Sequence, residues 1–566
     1  MVSRSVRREL ARIKLARKKE TMRRMKVTKM KRKRQATKKR LVMVLAVTLA
    51  LILVLGGCSV DYGAYDHGND AVSDSYYPPD NAGSSGSSQT ADSAAPGYYN
   101  NYDPYFDYSS GESYLVIEEQ GELLVSRNPE STFSLKVDTA SYSNVKRFVE
   151  NGDLPPADAV RTEELINWFS YDEPIKFDSN SPFGFYTEIG PSPFNEDKYL
   201  AMIRVATQDI DRSDLPPSNI VFLIDVSGSM NTHDKLPLLQ DSLALFIDTL
   251  DRDDRISIVT YASGTAVVLE GARGSEKELI KDTVYSLRPA GSTAGEGGIQ
   301  LAYECAEENF IVGGNNRIIL CSDGDFNVGI STVSELSKFI SKKRDTGIYL
   351  SVLGFGTGNI RDDIMETLAK DGNGNYSYID SLRTAEKVLV DELATNLFTV
   401  ADDVKAQIVF DADAVYSYRL IGYENRLLAT EDFDDDRKDA GEIGAGTDII
   451  ALYEIELVER DTEVGAHLFD VRIRYKNPGE RESQLLEFPV ALERMNRSSS
   501  TDFGFVSAVA LYGDYLRSAA NGDYSRSEQR ALVDEIIYLA EANLGSDKSG
   551  YRADFVDLLH DLRFAL

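Results

Sequence analysis

"VFLIDVSGSMNTHDKL", residues 221–236, runs four apolar residues straight into Asp225, then offers Ser227, Gly228 and Ser229 before a helical pattern begins near Lys235. A continuous apolar run that ends in a carboxylate reads as a strand buried on both faces and opening into a polar loop. Outward from it, "NIVFLIDVS", "RISIVTYA", "RIILCSDG" and "IYLSVLGFG" alternate with helical segments beginning near Lys235, Glu276, Ala294, Thr332 and Arg361. Residues 219–398 are therefore expected to form a doubly wound, mostly parallel sheet with helices on both faces.

In such a sheet, ligands gather at the carboxyl ends of the strands. Three loops at that edge carry oxygen donors: "DVSGS" from Asp225, "GSTAGEG" around Thr293 and "SDGD" around Asp323. Asp225 and Asp323 supply two negative charges, and Ser227, Ser229 and Thr293 supply neutral hydroxyls. This all-oxygen set suits Mg²⁺, Mn²⁺ or Ca²⁺ rather than a soft metal. If the hydroxyls coordinate directly and one carboxylate acts through water, the ion stays under-neutralised. An Asp or Glu presented by another protein would then complete its shell.

DxSxS at 225–229, the Thr of "GST" at 293 and the Asp of "SDG" at 323 together resemble the metal-ion-dependent adhesion site of von Willebrand factor type A domains. The resemblance implies Asp225, Ser227, Ser229, Thr293 and Asp323 as ligands, some through water. A wider likeness covers residues 130–566. "LKVDTASYSNVKRFVENGDLPPADAVRTEELINWF", "AGSTAGEGGIQLAYE", "CSDGDFNVGIS", "YRLIGYENRLL" and "DAGEIGAG" are similar to the YfbK-like group of bacterial type A domain lipoproteins. Cys321 departs from the smaller or Thr-like residue usual before the motif, which leaves the five oxygen donors in place.

Residues 1–40 hold 19 Lys and Arg against two acidic residues, so the rest of the 566-residue chain is near −46. A body that acidic repels nucleic acid and attracts divalent cations. The basic head runs into an apolar stretch, Leu41–Leu55, and then Gly56, Gly57 and Cys58. A positive head, about 15 apolar residues and small residues before a break make a secretory signal over 1–57. "LGGC" is similar to a lipobox, which implies Cys58 as the lipid-bearing attachment to a cell membrane, with the body on the extracytoplasmic face. An uncleaved signal anchor would leave the body on the same side.

Residues 58–112 are Ser, Gly, Asp, Asn, Pro and Tyr with few aliphatics, the composition of a disordered tether. About 54 such residues reach about 40 Å on average. Residues 113–211 hold two helical segments, "SYSNVKRFVENG" and "RTEELINWFSY", and two strands, "FGFYTEIG" and "KYLAMIRVAT". Residues 399–492 alternate with period two in "VKAQIVFD", "SYRLIGYE", "DIIALYEIELV", "LFDVRIRYK" and "LLEFPVAL". The two earlier strands have no local partner and are expected to join the later ones in a β-sandwich-like domain, with the α/β unit inserted in it. The fold class is thus multi-domain α/β plus β. Residues 502–566 read as three helices, the last placing Phe555, Leu558, Leu559 and Leu562 on one face.

No catalytic constellation is evident. A phosphatase of the aspartyl-phosphate kind needs DxD, and position 227 is Ser. His67, His233, His467 and His560 show no Ser/His/Asp or HExxH arrangement, and Cys305 and Cys321 read as buried thiols. "DGDFNVGISTVS" and "DGNGNYSYIDSL" lack the Gly and Glu that an EF-hand loop requires. The acidic loop 431–442 reads as a solvated surface, with a structural Ca²⁺ as the alternative. The expected function is metal-dependent binding of a protein partner, against an assembly role in which the metal only stiffens loops, or an undetected hydrolase.

Overall fold

The computed structural model describes residues 111–566, apart from 178–180, 212–214, 293–294, 325–332, 393–396, 439, 460–462 and 493–498. The signal segment, Cys58, the tether up to residue 110 with His67, Thr293 and Asp439 lie outside the described residues, whereas Glu112, at the expected end of the tether, pairs with Arg147 at 2.9 Å.

The strands are, in chain order, β1 (Leu123–Leu124), β2 (Glu130–Ser134), β3 (Lys176–Phe177), β4 (Phe183–Pro191), β5 (Tyr199–Thr207), β6 (Ser218–Asp225), β7 (Arg255–Tyr261), β8 (Thr265–Arg273), β9 (Asn315–Ser322), β10 (Tyr349–Phe355), β11 (Asn373–Ile379), β12 (Thr399–Phe410), β13 (Val415–Ile421), β14 (Ile443–Gly444), β15 (Asp448–Leu457), β16 (His467–Lys476) and β17 (Gln484–Ala491). Three sheets result.

One sheet has the order β11-β10-β9-β6-β7-β8. Its strands are parallel except β8, which runs antiparallel to β7. Every residue of β6 is buried, because successive side chains enter opposite layers. Ile220, Phe222 and Ile224 pack with Leu239, Leu243 and Phe246 of the helix Leu236–Thr249. Val221 and Leu223 pack with Ile299 and Tyr303 of the helix Gly295–Glu308, and with Leu336 and Ile340 of the helix Val333–Arg344. The four expected strands and five expected helices are present.

Two edge strands go beyond that expectation. β11 begins in the polar, glycine-rich segment that resembled a failed calcium loop. Gly374 permits it: a Cβ there would lie 1.9 Å from the Leu350 carbonyl oxygen. β8 is exposed along most of its length, so it lacks the continuous apolar run of a central strand.

The second sheet has the order β1-β13-β15-β5-β4-β3, and the third joins β14, β12, β16 and β17, with β2 also on β12. β5 pairs antiparallel with β15, Ala201 opposite Tyr453 and Ile203 opposite Ala451. Residues before 211 thus share a sheet with residues after 440. Phe183, Val205, Ile408, Phe410, Tyr453 and Ile473, drawn from both sheets, lie in one apolar cluster.

Three helices close the chain: Thr501–Ala520, Arg526–Ala542 and Tyr551–Ala565. Ser500 caps the first through the Phe503 amide at 3.0 Å. A Ser525/Glu528 capping box starts the second. Phe555, Leu558, Leu559 and Leu562 are all buried. Cys305 and Cys321 are buried free thiols. Among the described residues no helix is long and apolar enough to cross a membrane.

Candidate metal centre

Asp225 ends β6, and Ser322, which ends β9, hands the chain to Asp323; β6 and β9 are paired, with Ile224 opposite Cys321. Parallel pairing therefore brings two carboxylates from residues almost a hundred positions apart to one sheet edge. Asp225, Ser227 and Asp323 are buried and Ser229 is exposed.

The loop after β6 is held tightly. Ser227 donates its amide to Asp225 Oδ1 at 2.7 Å. The Ser227 and Ser229 hydroxyls are 2.9 Å apart. A 3₁₀ turn, Gly228–Met230, follows and buries Met230. The Gly228 amide bonds the Gly291 carbonyl at 3.0 Å, and the Ala290 amide bonds the Val226 carbonyl at 2.7 Å. These bonds tie the DxSxS loop to the segment that leads toward Thr293.

The two carboxylates differ in environment. Asp225 Oδ2 is buried and makes no hydrogen bond of full geometry among the described residues, and the buried Tyr261 hydroxyl lies close enough to the carboxylate to stabilise its charge. Burial pushes Asp225 up to about 6, the Asp323 charge adds to the rise, and the Ser227 amide and hydroxyl with the Tyr261 hydroxyl oppose it. Burial also pushes Asp323 up, but the Lys235 ammonium outweighs it, with the Ser229 hydroxyl, and leaves Asp323 below the usual carboxylate range. Burial, followed by the Asp225 charge, raises the buried Tyr261 phenol well above its ordinary value.

Lys235 carries no motif that marks it for this role. Its Nζ donates to Asp323 Oδ2 at 2.8 Å and to Asn359 Oδ1 at 3.0 Å, contacts across 88 and 124 residues that only folding creates. The sequence signal nearest to it is "GFGTG": Gly356 adopts φ +77°, and a Cβ there would lie 2.3 Å from Lys235 Cγ and Cε.

The donor set fits a hard divalent ion. Two buried carboxylates are set there with the neutral hydroxyls of Ser227 and Ser229, an all-oxygen donor set without soft ligands. Among the described residues no group of three or more His, Cys, Asp and Glu is placed to hold a metal, here included, where the only such residues of the donor set are Asp225 and Asp323. In the acidic loop, Asp434 pairs with Arg474, Asp435 with Arg437 and Asp432 with Lys438. The described histidines are at or near the surface, His467 beside Asp470 and His560 beside Glu541.

The parallel sheet and its loops place the molecule among proteins with a von Willebrand factor type A domain, whose model matches residues 219–391. Such domains commonly mediate protein–protein binding and often hold a divalent metal. A further model, described as von Willebrand factor, matches 108–202, and one for the C-terminal region of the uncharacterized protein YfbK matches 395–564. The chain is 43% identical over 458 residues to YfbK of Escherichia coli (strain K12), which spans 77% of this chain and 78% of that protein. It belongs to the YfbK family. The inter-alpha-trypsin inhibitor heavy chain H3 of Mesocricetus auratus is 26% identical over 266 residues, only 29% of that protein's length. A solved von Willebrand factor type A structure from Catenulispora acidiphila is 19% identical, covers 68% of this chain and 91% of its own, and superposes with a TM-score of 0.41.

Proposed function

We propose that this chain is a cell-envelope lipoprotein, anchored through Cys58, that binds a protein partner through a divalent ion held by Asp225, Ser227, Ser229, Thr293 and Asp323. The observation that carries this reading is the pair of buried carboxylates, Asp225 and Asp323, that the parallel pairing of β6 and β9 brings to one sheet edge beside the Ser227 and Ser229 hydroxyls. Bound Mg²⁺, or Mn²⁺ or Ca²⁺ in its place, would supply an electrophilic centre for an Asp or Glu of the partner. The rest is the work of the protein. Asp225 holds charge in a dry site, where its attraction for a cation is strong. The Ser227 amide orients that carboxylate, and the exposed Ser229 hydroxyl stands where the site meets solvent. No nucleic acid is expected at so acidic a body.

The test pairs capture with melting. Envelope proteins are passed over the immobilised chain in Mg²⁺ and in EDTA, beside Asp225→Asn. Retention by wild type in Mg²⁺ alone is the expected result. At 100-fold saturation, Mg²⁺ should also raise wild-type stability by about 2.7 kcal/mol and leave Asp225→Asn unmoved. Equal retention in all three conditions would favour an assembly role through other surfaces.

A further inference from the structure

Lys235 is not a surface lysine that happens to touch Asp323. Its side chain is 7% exposed, and its ammonium is shared between Asp323 Oδ2 at 2.8 Å and Asn359 Oδ1 at 3.0 Å. The alkyl stem crosses Gly356 where no side chain fits, since a Cβ would lie 2.3 Å from Cγ and Cε. The Tyr378 hydroxyl fixes that crossing by donating to the Gly356 carbonyl at 2.6 Å. At the head of the helix Leu236–Thr249, the Lys235 amide bonds the Thr232 carbonyl and the Lys235 carbonyl accepts the Leu239 amide, so the residue is held at both ends. A cation has been built into the fold at this point.

Its charge matters because both carboxylates are buried. Among the described residues, Asp225 and Asp323 contribute two negative charges, the hydroxyls none and Lys235 one positive charge. Asp234, next in sequence, meets the Thr357 hydroxyl at 3.5 Å and is not among the groups that shift Asp225 or Asp323. We propose that Lys235 is a resident counter-cation that leaves the site with one uncompensated negative charge, weakens its hold on a divalent ion alone, and makes ion binding depend on an incoming carboxylate.

With a divalent ion the buried site would carry one net positive charge, which low-dielectric surroundings disfavour. A carboxylate from the partner brings the sum to zero. Ion and partner therefore bind with positive coupling, and by linkage each strengthens the other equally. Without Lys235 the ion would itself neutralise the two carboxylates, and the added carboxylate would be needed less. This inference rests on the reading that the site takes a divalent ion.

The test is Mn²⁺ affinity of the full chain, followed by the free-Mn²⁺ electron paramagnetic resonance signal, with and without acetate as the carboxylate. Wild type should bind weakly alone and more tightly in acetate. Lys235→Met keeps the stem without the charge and should bind Mn²⁺ alone at least about tenfold more tightly, with most of the acetate effect lost. Lys235→Arg should retain the wild-type pattern. Lys235→Gln serves as the neutral variant if thermal melting shows that Lys235→Met does not fold. Equal or weaker Mn²⁺ binding by a folded neutral variant overturns the inference while the divalent-ion reading stands. Absence of Mn²⁺ binding from every variant, wild type included, overturns that reading instead.

Discussion

At the scale of the residue, burial decides what a carboxylate does. Asp225 is buried and held by the amide of its own loop, Ser227, at 2.7 Å. Glu163 is the complementary case, a fully buried carboxyl with no cation bonded to it. Its Oε2 accepts no hydrogen bond among the described residues, and Gly422, at φ +76°, passes so close that a Cβ would lie 2.5 Å from it. Burial, then the Glu424 charge, pushes Glu163 up to about 7 against an ordinary 4.5. A carboxyl whose folded value is raised contributes its full stability below the unfolded value and loses it as pH rises through the folded one. Wild type should therefore lose about 3 kcal/mol between pH 4.5 and pH 8 through this group. Glu163→Gln should remove that part of the slope and be the more stable protein at pH 8. Urea denaturation of both proteins at pH 5 and pH 8 checks it, and parallel slopes would show that Glu163 is not the titrating group. That Asp225 and Asp323 would stand at one sheet edge was legible because Asp225 ends one continuous apolar strand and Asp323 directly follows another. Lys235 was not, because its role depends on the distant Asp323, Asn359 and Gly356.

At the scale of the element, patterns were readable where burial is two-sided or strictly periodic. The run from Ile220 to Ile224 and the stripe of Phe555, Leu558, Leu559 and Leu562 announce a central strand and a packed helix. β11 and β8 announce nothing, since an edge strand needs fewer apolar residues and takes its order from a neighbour. For β11 the neighbour's constraint is steric. Gly374→Ala would drive a Cβ to 1.9 Å from the Leu350 carbonyl oxygen and 2.3 Å from its carbon. A loss of about 3 kcal/mol is expected from that collision. Gly121→Ala, where a Cβ meets nothing within 4 Å, should be neutral within about 0.5 kcal/mol. Denaturant midpoints of the two variants test the contrast, and similar midpoints would mean that β11 can shift at little cost.

At the scale of the whole molecule, a buried ionic cluster links segments that are remote in sequence. Arg161 Nε bonds Glu164 Oε1 at 2.6 Å, its Nη1 bonds Asp362 Oδ2 at 2.6 Å, and Glu366 lies 3.7 Å away. Arg426 bonds Asp138 at 2.6 Å and lies 3.5 Å from Glu366. The cluster so joins the region before residue 170, the helix Asp362–Asp371 beside the parallel sheet and the turn after β13. Each of these side chains is 5% exposed or less, so removal of one partner strands charges out of water. Arg161→Met should cost 3–5 kcal/mol, roughly the figure for a broken buried pair. A midpoint within 1 kcal/mol of wild type, about the scale of a surface pair, would show that water reaches the cluster and screens it.

Read by itself, the chain determined what local chemistry can encode: the parallel α/β unit from continuous apolar strands, the oxygen donors at its loops, the three closing helices and the free thiols. Local sequence carries these because strand and helix periodicity, turn residues and donor type are properties of neighbouring positions. The chain also pointed to the union of the early strands with the later ones, but tertiary structure alone decided which of them β5 pairs with and in what register, the two edge strands, the cation seated on Asp323 and the cluster around Arg161. Each of those joins residues tens to hundreds of positions apart, and their complementarity exists only once the apolar cores have brought them together.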